Sequence, residues 1–112
     1  MEGLEITAYD GEGYRPMIRF GGWRVALLRY AENFDRISYL ERHLNTDEVF
    51  VLLEGQATLL IGAAAEEERM RPGLLYRVGQ GVWHNIRVSR DARVLVVEND
   101  DTSKDNSEFL AL

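Results

Sequence analysis

With 112 residues, 46% of them hydrophobic, the chain can enclose one modest core and no second, so a single domain spanning residues 1–112 is expected. A net charge of −6 at pH 7 works against partners bound by neutralising phosphates, which sets aside nucleic acid and anionic membrane surfaces and leaves a small molecule. Without cysteine there is neither a disulfide nor a thiolate site, and any metal must be held by imidazole and carboxylate.

The amino terminus is acidic and has no positively charged leader, and the longest apolar run is only Val49 to Leu53, so a soluble, cytoplasmic protein is expected. Glycine rather than proline punctuates the chain, parting short apolar stretches at even spacing, which is the pattern of many short strands. The predicted strands are Leu4 to Ala8, Trp23 to Tyr30, Arg36 to His43, Glu48 to Leu53, Gln56 to Ile61, Glu67 to Met70, Leu75 to Val78, His84 to Val88 and Arg93 to Glu98. In the third of these, Phe34, Ile37, Leu40 and Leu44 also fit a helical spacing, while Ile37, Tyr39, Glu41 and His43 alternate as one face of a strand. Local pattern leaves both readings open, and the motif that follows favours the strand. In Glu48 to Leu53, Phe50 and Leu52 share a face with Glu48, while Val49, Val51 and Leu53 lie opposite, so a second sheet or a partner subunit must cover each side. His84, Ile86 and Val88 alternate against Asn85, Arg87 and Ser89, which places His84 on an apolar face. Ala63 to Arg71 reads as a hairpin tip with a solvent-facing strand, and Trp23 as a packing residue rather than a ligand platform.

The chemistry is concentrated in two islands. The first is Glu41-Arg42-His43-Leu44-Asn45-Thr46-Asp47-Glu48, followed by six residues and Gly55; the second is Gly73, five residues, then Gly79-Gln80-Gly81-Val82-Trp83-His84. Both histidines of the chain fall within them. On an extended strand Glu41 and His43 point the same way, a turn through Leu44 to Asp47 brings Glu48 onto the next strand to face them, and His84 arrives from a separate strand. Two imidazoles with one or two carboxylates suit Mn(II), Fe(II), Ni(II) or Zn(II). Taken singly, His43 and Glu48 would instead be ordinary solvated residues. Tyr39 and Phe50 share the strand faces of these residues and are candidate ligand-binding residues, although aromatics at such positions serve equally as core.

The islands resemble the two motifs of the cupin superfamily: residues 41–55 the first and 73–88 the second, with Asp47 to Gly55 (DEVFVLLEG) especially close. The resemblance implies a small all-β domain, a double-stranded β-helix or jelly-roll barrel, with a metal bound by His43, Glu48 and His84, and a homodimer. The first metal histidine of the motif is here Glu41, the motif proline is Gly79, and Val88 replaces the final asparagine. Glu41 can coordinate as a fourth ligand, which favours Mn(II), or remain unbound as a general base. Two functions follow. One is a metal-dependent enzyme of dioxygenase, isomerase or lyase type acting on a small polar metabolite, to which Glu41 and Glu98 could contribute if they face the pocket. The other is a non-catalytic or regulatory protein binding a sugar or acidic metabolite without metal. The polar stretch from Asn99, ending in Phe109 to Leu112, is expected to dock on its own barrel or on a neighbour's sheet edge.

Overall fold

Alternation of apolar and polar residues, broken by glycine turns, produces ten strands in the computed structural model of the protein. They are β1 (Tyr14–Phe20), β2 (Trp23–Arg29), β3 (Tyr39–His43), β4 (Glu48–Glu54), β5 (Ala57–Ile61), β6 (Glu66–Arg69), β7 (Tyr76–Val78), β8 (His84–Val88), β9 (Arg93–Asn99) and β10 (Ser107–Ala111). Two five-stranded sheets form, in the orders β1-β2-β9-β4-β7 and β10-β3-β8-β5-β6, with every pairing antiparallel. Their inward faces meet in one apolar cluster: Ala26, Leu28, Phe50, Leu52, Val94 and Val96 from the first sheet against Ala57, Leu59, Ile86 and Val88 from the second. This is the expected jelly-roll architecture. No helix is long and apolar enough to cross a membrane.

Two strands lie where the sequence pattern did not place them. Leu4 to Ala8 forms no strand: its apolar alternation finds no partner in the chain, and Leu4 and Ile6 are 55% and 85% exposed. The first strand is instead Tyr14–Phe20, closed onto β2 by a two-residue turn at Gly21-Gly22 that pairs Phe20 with Trp23. Pro16 obscures it in the sequence, yet β1 is a sheet edge with a bulge between Pro16 and Ile18, the setting in which a strand tolerates proline. The tail becomes β10 and pairs with β3 of its own barrel, Phe109 opposite Glu41. The ambiguous segment resolves into a short 3-10 turn at Glu32–Phe34 followed by β3.

The alternation of β4 holds, with Glu48, Phe50 and Leu52 buried inward, but its outer face is only half-covered and Leu53 is 49% exposed. Asn85 lies on the face opposite His84 as predicted, yet it is buried rather than solvated. Strands β3 and β8 share a single paired position, Glu41 with His84. Where the ladder opens, the Asn85 side chain donates to the Tyr39 carbonyl at 2.9 Å and accepts from the Ile86 amide at 2.8 Å, replacing the missing bonds.

The β4–β5 turn depends on Gly55, whose φ is +76° and whose added Cβ would lie 2.7 Å from the buried Ala92 Cα. The substitution Gly55→Ala combines a left-handed backbone with a backbone clash and is expected to cost at least about 2 kcal/mol. Urea denaturation should show a lowered midpoint; an unchanged midpoint would contradict this account of the turn.

Candidate metal centre

A cavity of about 280 Å³ opens between the sheets at the end where β3, β4, β8 and β9 converge. Glu41 and His43 enter from β3, Glu48 opens β4, His84 opens β8 and Glu98 lies near the end of β9; all five line it. On β4, β8 and β9 inward alternation puts a polar residue at the cavity end of an otherwise apolar face, whereas on β3 Tyr39, Glu41 and His43 all face the cavity. The glycines before β8 allow the chain to reach His84, and the Gly81 amide bonds the His43 carbonyl at 2.8 Å, fixing the two histidine-bearing segments together.

Glu48 is buried between the imidazoles, its Oε1 2.8 Å from His84 Nε2 and 3.3 Å from His43 Nε2. The two rings lie edge to face with centroids 5.2 Å apart. Glu41 Oε1 is 3.7 Å from His43 Nε2, and Glu98 Oε2 is 4.0 Å from it.

The far nitrogens fix the tautomers. His84 Nδ1 faces the Val82 carbonyl at 2.9 Å, an acceptor only, so Nδ1 carries a proton. His43 Nδ1 faces Ser107 Oγ at 2.8 Å, and that hydroxyl already donates to the Ser103 carbonyl at 2.7 Å, so His43 Nδ1 donates as well. Both Nε2 atoms therefore present either a second proton or a lone pair toward the Glu48 carboxylate. In neutral imidazoles those lone pairs would confront an anion. The arrangement requires positive charge between them, as imidazolium protons or as a cation.

Titration follows the same geometry. Burial alone would raise the Glu48 carboxyl, but hydrogen bonds and charge from His43 and His84 hold it at about 2. Burial would depress both histidines, yet Glu48 raises them above their ordinary value, followed by Glu41 at His43 and by the Val82 carbonyl and then Glu41 at His84. Glu41 and Glu98 are raised by burial, with the Glu48 charge adding to each and direct contact with the Glu48 carboxylate adding further at Glu98, against the donors Tyr14 and Arg24.

A second layer supports the first. Tyr14 OH donates to Glu98 Oε1, which also accepts from Arg24 Nη2 at 3.0 Å. Arg24 Nη1 and Nη2 reach the Asp100 and Thr102 carbonyls at 3.0 and 3.1 Å, tying the turn that leads into β10. Tyr39 and Phe50 line the cavity; the Phe50 ring lies 6.1 Å from the His84 ring, and Tyr39 meets Phe109 edge-on at 5.9 Å. Trp23 sits on the outer face away from the cavity, and Trp83 packs beneath the Arg42 guanidinium.

The donor set fits a divalent ion. Bonds of about 2.0–2.2 Å place neighbouring ligand atoms about 3–3.5 Å apart, close to the separations of His43 from Glu48 and Glu41. The ligating atoms of Glu41, His43 and His84 lie within 4.8 Å of one another, and so do those of His43, Glu48 and Glu98. Sequence pattern alone missed Tyr14, Arg24 and Ser107. A signal existed for Arg24: it starts the inward alternation Arg24, Ala26, Leu28 on β2, opposite the alternation Val94, Val96, Glu98 on β9, and Arg24 pairs in register with Glu98.

No protein-family model matches the chain, and no curated protein matches it in sequence. Solved structures do match. A cupin-2 domain protein from Shewanella frigidimarina is 17% identical, over 81% of this chain and 84% of that one, with a TM-score of 0.66. A Streptomyces variant of Pac13, a nucleoside dehydratase, solved with uridine, is 8% identical over 100% of this chain and 93% of its own, with a TM-score of 0.73. KdgF from a Halomonas species is 13% identical over 77% of each chain, with a TM-score of 0.60. Likeness of this extent at such low identity establishes the fold.

In the metal-free protein the raised histidines stabilise the folded state fully below about pH 6.5, and this contribution is lost as pH rises through their folded values. The raised Glu41 and Glu98 act in the same direction, penalising the folded state as pH climbs above about 4.5; Glu48 opposes only in acid below that. Metal-free protein should therefore melt several degrees higher at pH 6 than at pH 9. In His84→Gln the difference should shrink, and equal melting temperatures in the unmutated chain would contradict the proposed charge arrangement.

Proposed function

Taking the small cupin barrel as its premise, we propose that the chain is a metal-dependent protein in which His43, Glu48 and His84 hold a divalent transition ion, Mn(II), Fe(II), Ni(II) or Zn(II). The observation that carries this reading is the pair of Nε2 atoms, each with its Nδ1 proton committed elsewhere, aimed at one buried carboxylate. A bound ion there supplies Lewis acidity toward an oxygen of the substrate. The cavity volume and its mixed lining of Tyr39, Phe50, Phe109, Ser103 and Ser107 suit a small polar metabolite. Uridine in the similarly folded Pac13 supports a hydroxylated ligand of this kind. Glu41 is assigned the role of general base, because it is the most accessible of the carboxylates around His43, at 29% side-chain exposure, and burial shifts its carboxyl upward.

Protein purified without a metal-affinity column and exposed to these ions is expected to retain about one per chain, and His84→Ala to lose it while the surface change Arg87→Ala does not. No retained metal with any of the four would sink the enzyme reading and leave a metal-free ligand-binding protein in which imidazolium protons satisfy Glu48.

We also propose a homodimer through the outer face of the first sheet. There Val25, Val97 and Val49 register side by side, as do Leu27, Leu95 and Val51, and all six remain partly exposed in the single chain. A contiguous apolar face of this kind marks an interface, and a second copy supplies a matching one. Light scattering should give a dimer that Val51→Asp converts to a folded monomer; a monomeric unmutated chain would contradict the assignment.

A further inference from the structure

The geometry points to Glu98 as a further metal ligand, held in place by Tyr14 and Arg24, so that an ion in the cavity meets two imidazoles and two buried carboxylates. This inference rests on the metal reading above and specifies its ligand set.

Glu98 is among the most buried charged residues of the chain, at 5% exposure, and its two oxygens are treated differently. Oε1 accepts from Tyr14 OH and from Arg24 Nη2. Oε2 is buried and has no hydrogen-bond partner. It lies 4.0 Å from His43 Nε2, and the ligating atoms of His43, Glu48 and Glu98 fall within 4.8 Å of one another. A buried carboxylate oxygen without a donor is costly, and native structures rarely leave one unless another group satisfies it.

Charge neutralisation of Arg24 does not explain the arrangement. A guanidinium fork can engage both oxygens of one carboxylate, and here it engages one. Arg24 instead reaches Tyr14 OH through Nε, the Asp100 carbonyl through Nη1 and the Thr102 carbonyl through Nη2, leaving one contact for Glu98. One oxygen fixed by two donors and the other free toward imidazole and carboxylate is how outer partners orient a metal-binding carboxylate. Glu48 and Glu98 bring two formal negative charges to the ion, one of them shared with Arg24, and a second carboxylate in the set favours a hard ion such as Mn(II).

Mn(II) titration followed by calorimetry should show at least about a tenfold loss of affinity in Glu98→Gln, which keeps the shape and the bonds to Tyr14 and Arg24 but weakens the ligand. The visible absorption of bound Co(II) should shift in the same variant, a change that a merely structural role would not produce. Glu98→Asp keeps the charge beside Arg24 while drawing the carboxylate back from the ion, and should weaken Mn(II) to a similar degree even if Glu98→Gln folds poorly. Mn(II) affinity within about threefold of the unmutated chain in a folded variant, with an unshifted Co(II) spectrum, would overturn the assignment while leaving the metal reading intact. An unmutated chain that takes up no metal would overturn both.

Discussion

One carboxylate, buried between two imidazoles whose other nitrogens are already committed, sets the character of this barrel. Glu48 could not remain ionised there without positive charge beside it, because burial alone would push its proton back on. Val82 and Ser107 fix which nitrogens face it, and under the proposed metal reading protons and a divalent ion compete for the same two lone pairs. Acid favours the imidazolium form, and rising pH favours the ion.

The surrounding fold serves that constraint. His43 and Glu48 stand at the ends of β3 and β4, in opposite sheets, so facing the sheets across the core brings them together without a long loop. Arg24 connects the cavity wall to the chain beyond β9 through the Asp100 and Thr102 carbonyls, and Ser107, at the start of β10, orients His43. The tail is thus part of the site's support as well as a sheet edge. Loss of β10 would remove the hydroxyl that holds His43 Nδ1.

Much of this was legible from the order of residues. The two islands located His43, Glu48 and His84, and period-two alternation put their side chains on inward faces, because the chemistry there follows strand geometry. Tyr14 escaped notice because no strand was expected between Ala8 and Trp23, where Pro16 interrupts the pattern, and an edge position with a bulge is the setting that lets such a strand exist. Leu4 to Ala8 carries a strand's pattern and no partner within the chain, a property that pairing decides and periodicity does not. Asn85 was expected on the face opposite His84; its burial there depends on how few bonds join β3 to β8, which no local pattern encodes. Glu98 was visible as a charged end to an apolar alternation, but its unpaired oxygen is a tertiary fact.

The cupin fold is shared by proteins of different chemistry, so the site rather than the barrel must carry a functional claim. Here the claim is that a divalent ion occupies the space bounded by His43 Nε2, His84 Nε2 and Glu48. Anomalous diffraction from crystals grown with Mn(II) tests it most directly. The account predicts a single strong peak in the cavity within bonding distance of all three residues. A peak confined to surface carboxylates such as Glu66 to Glu68, or none in the cavity, would contradict it.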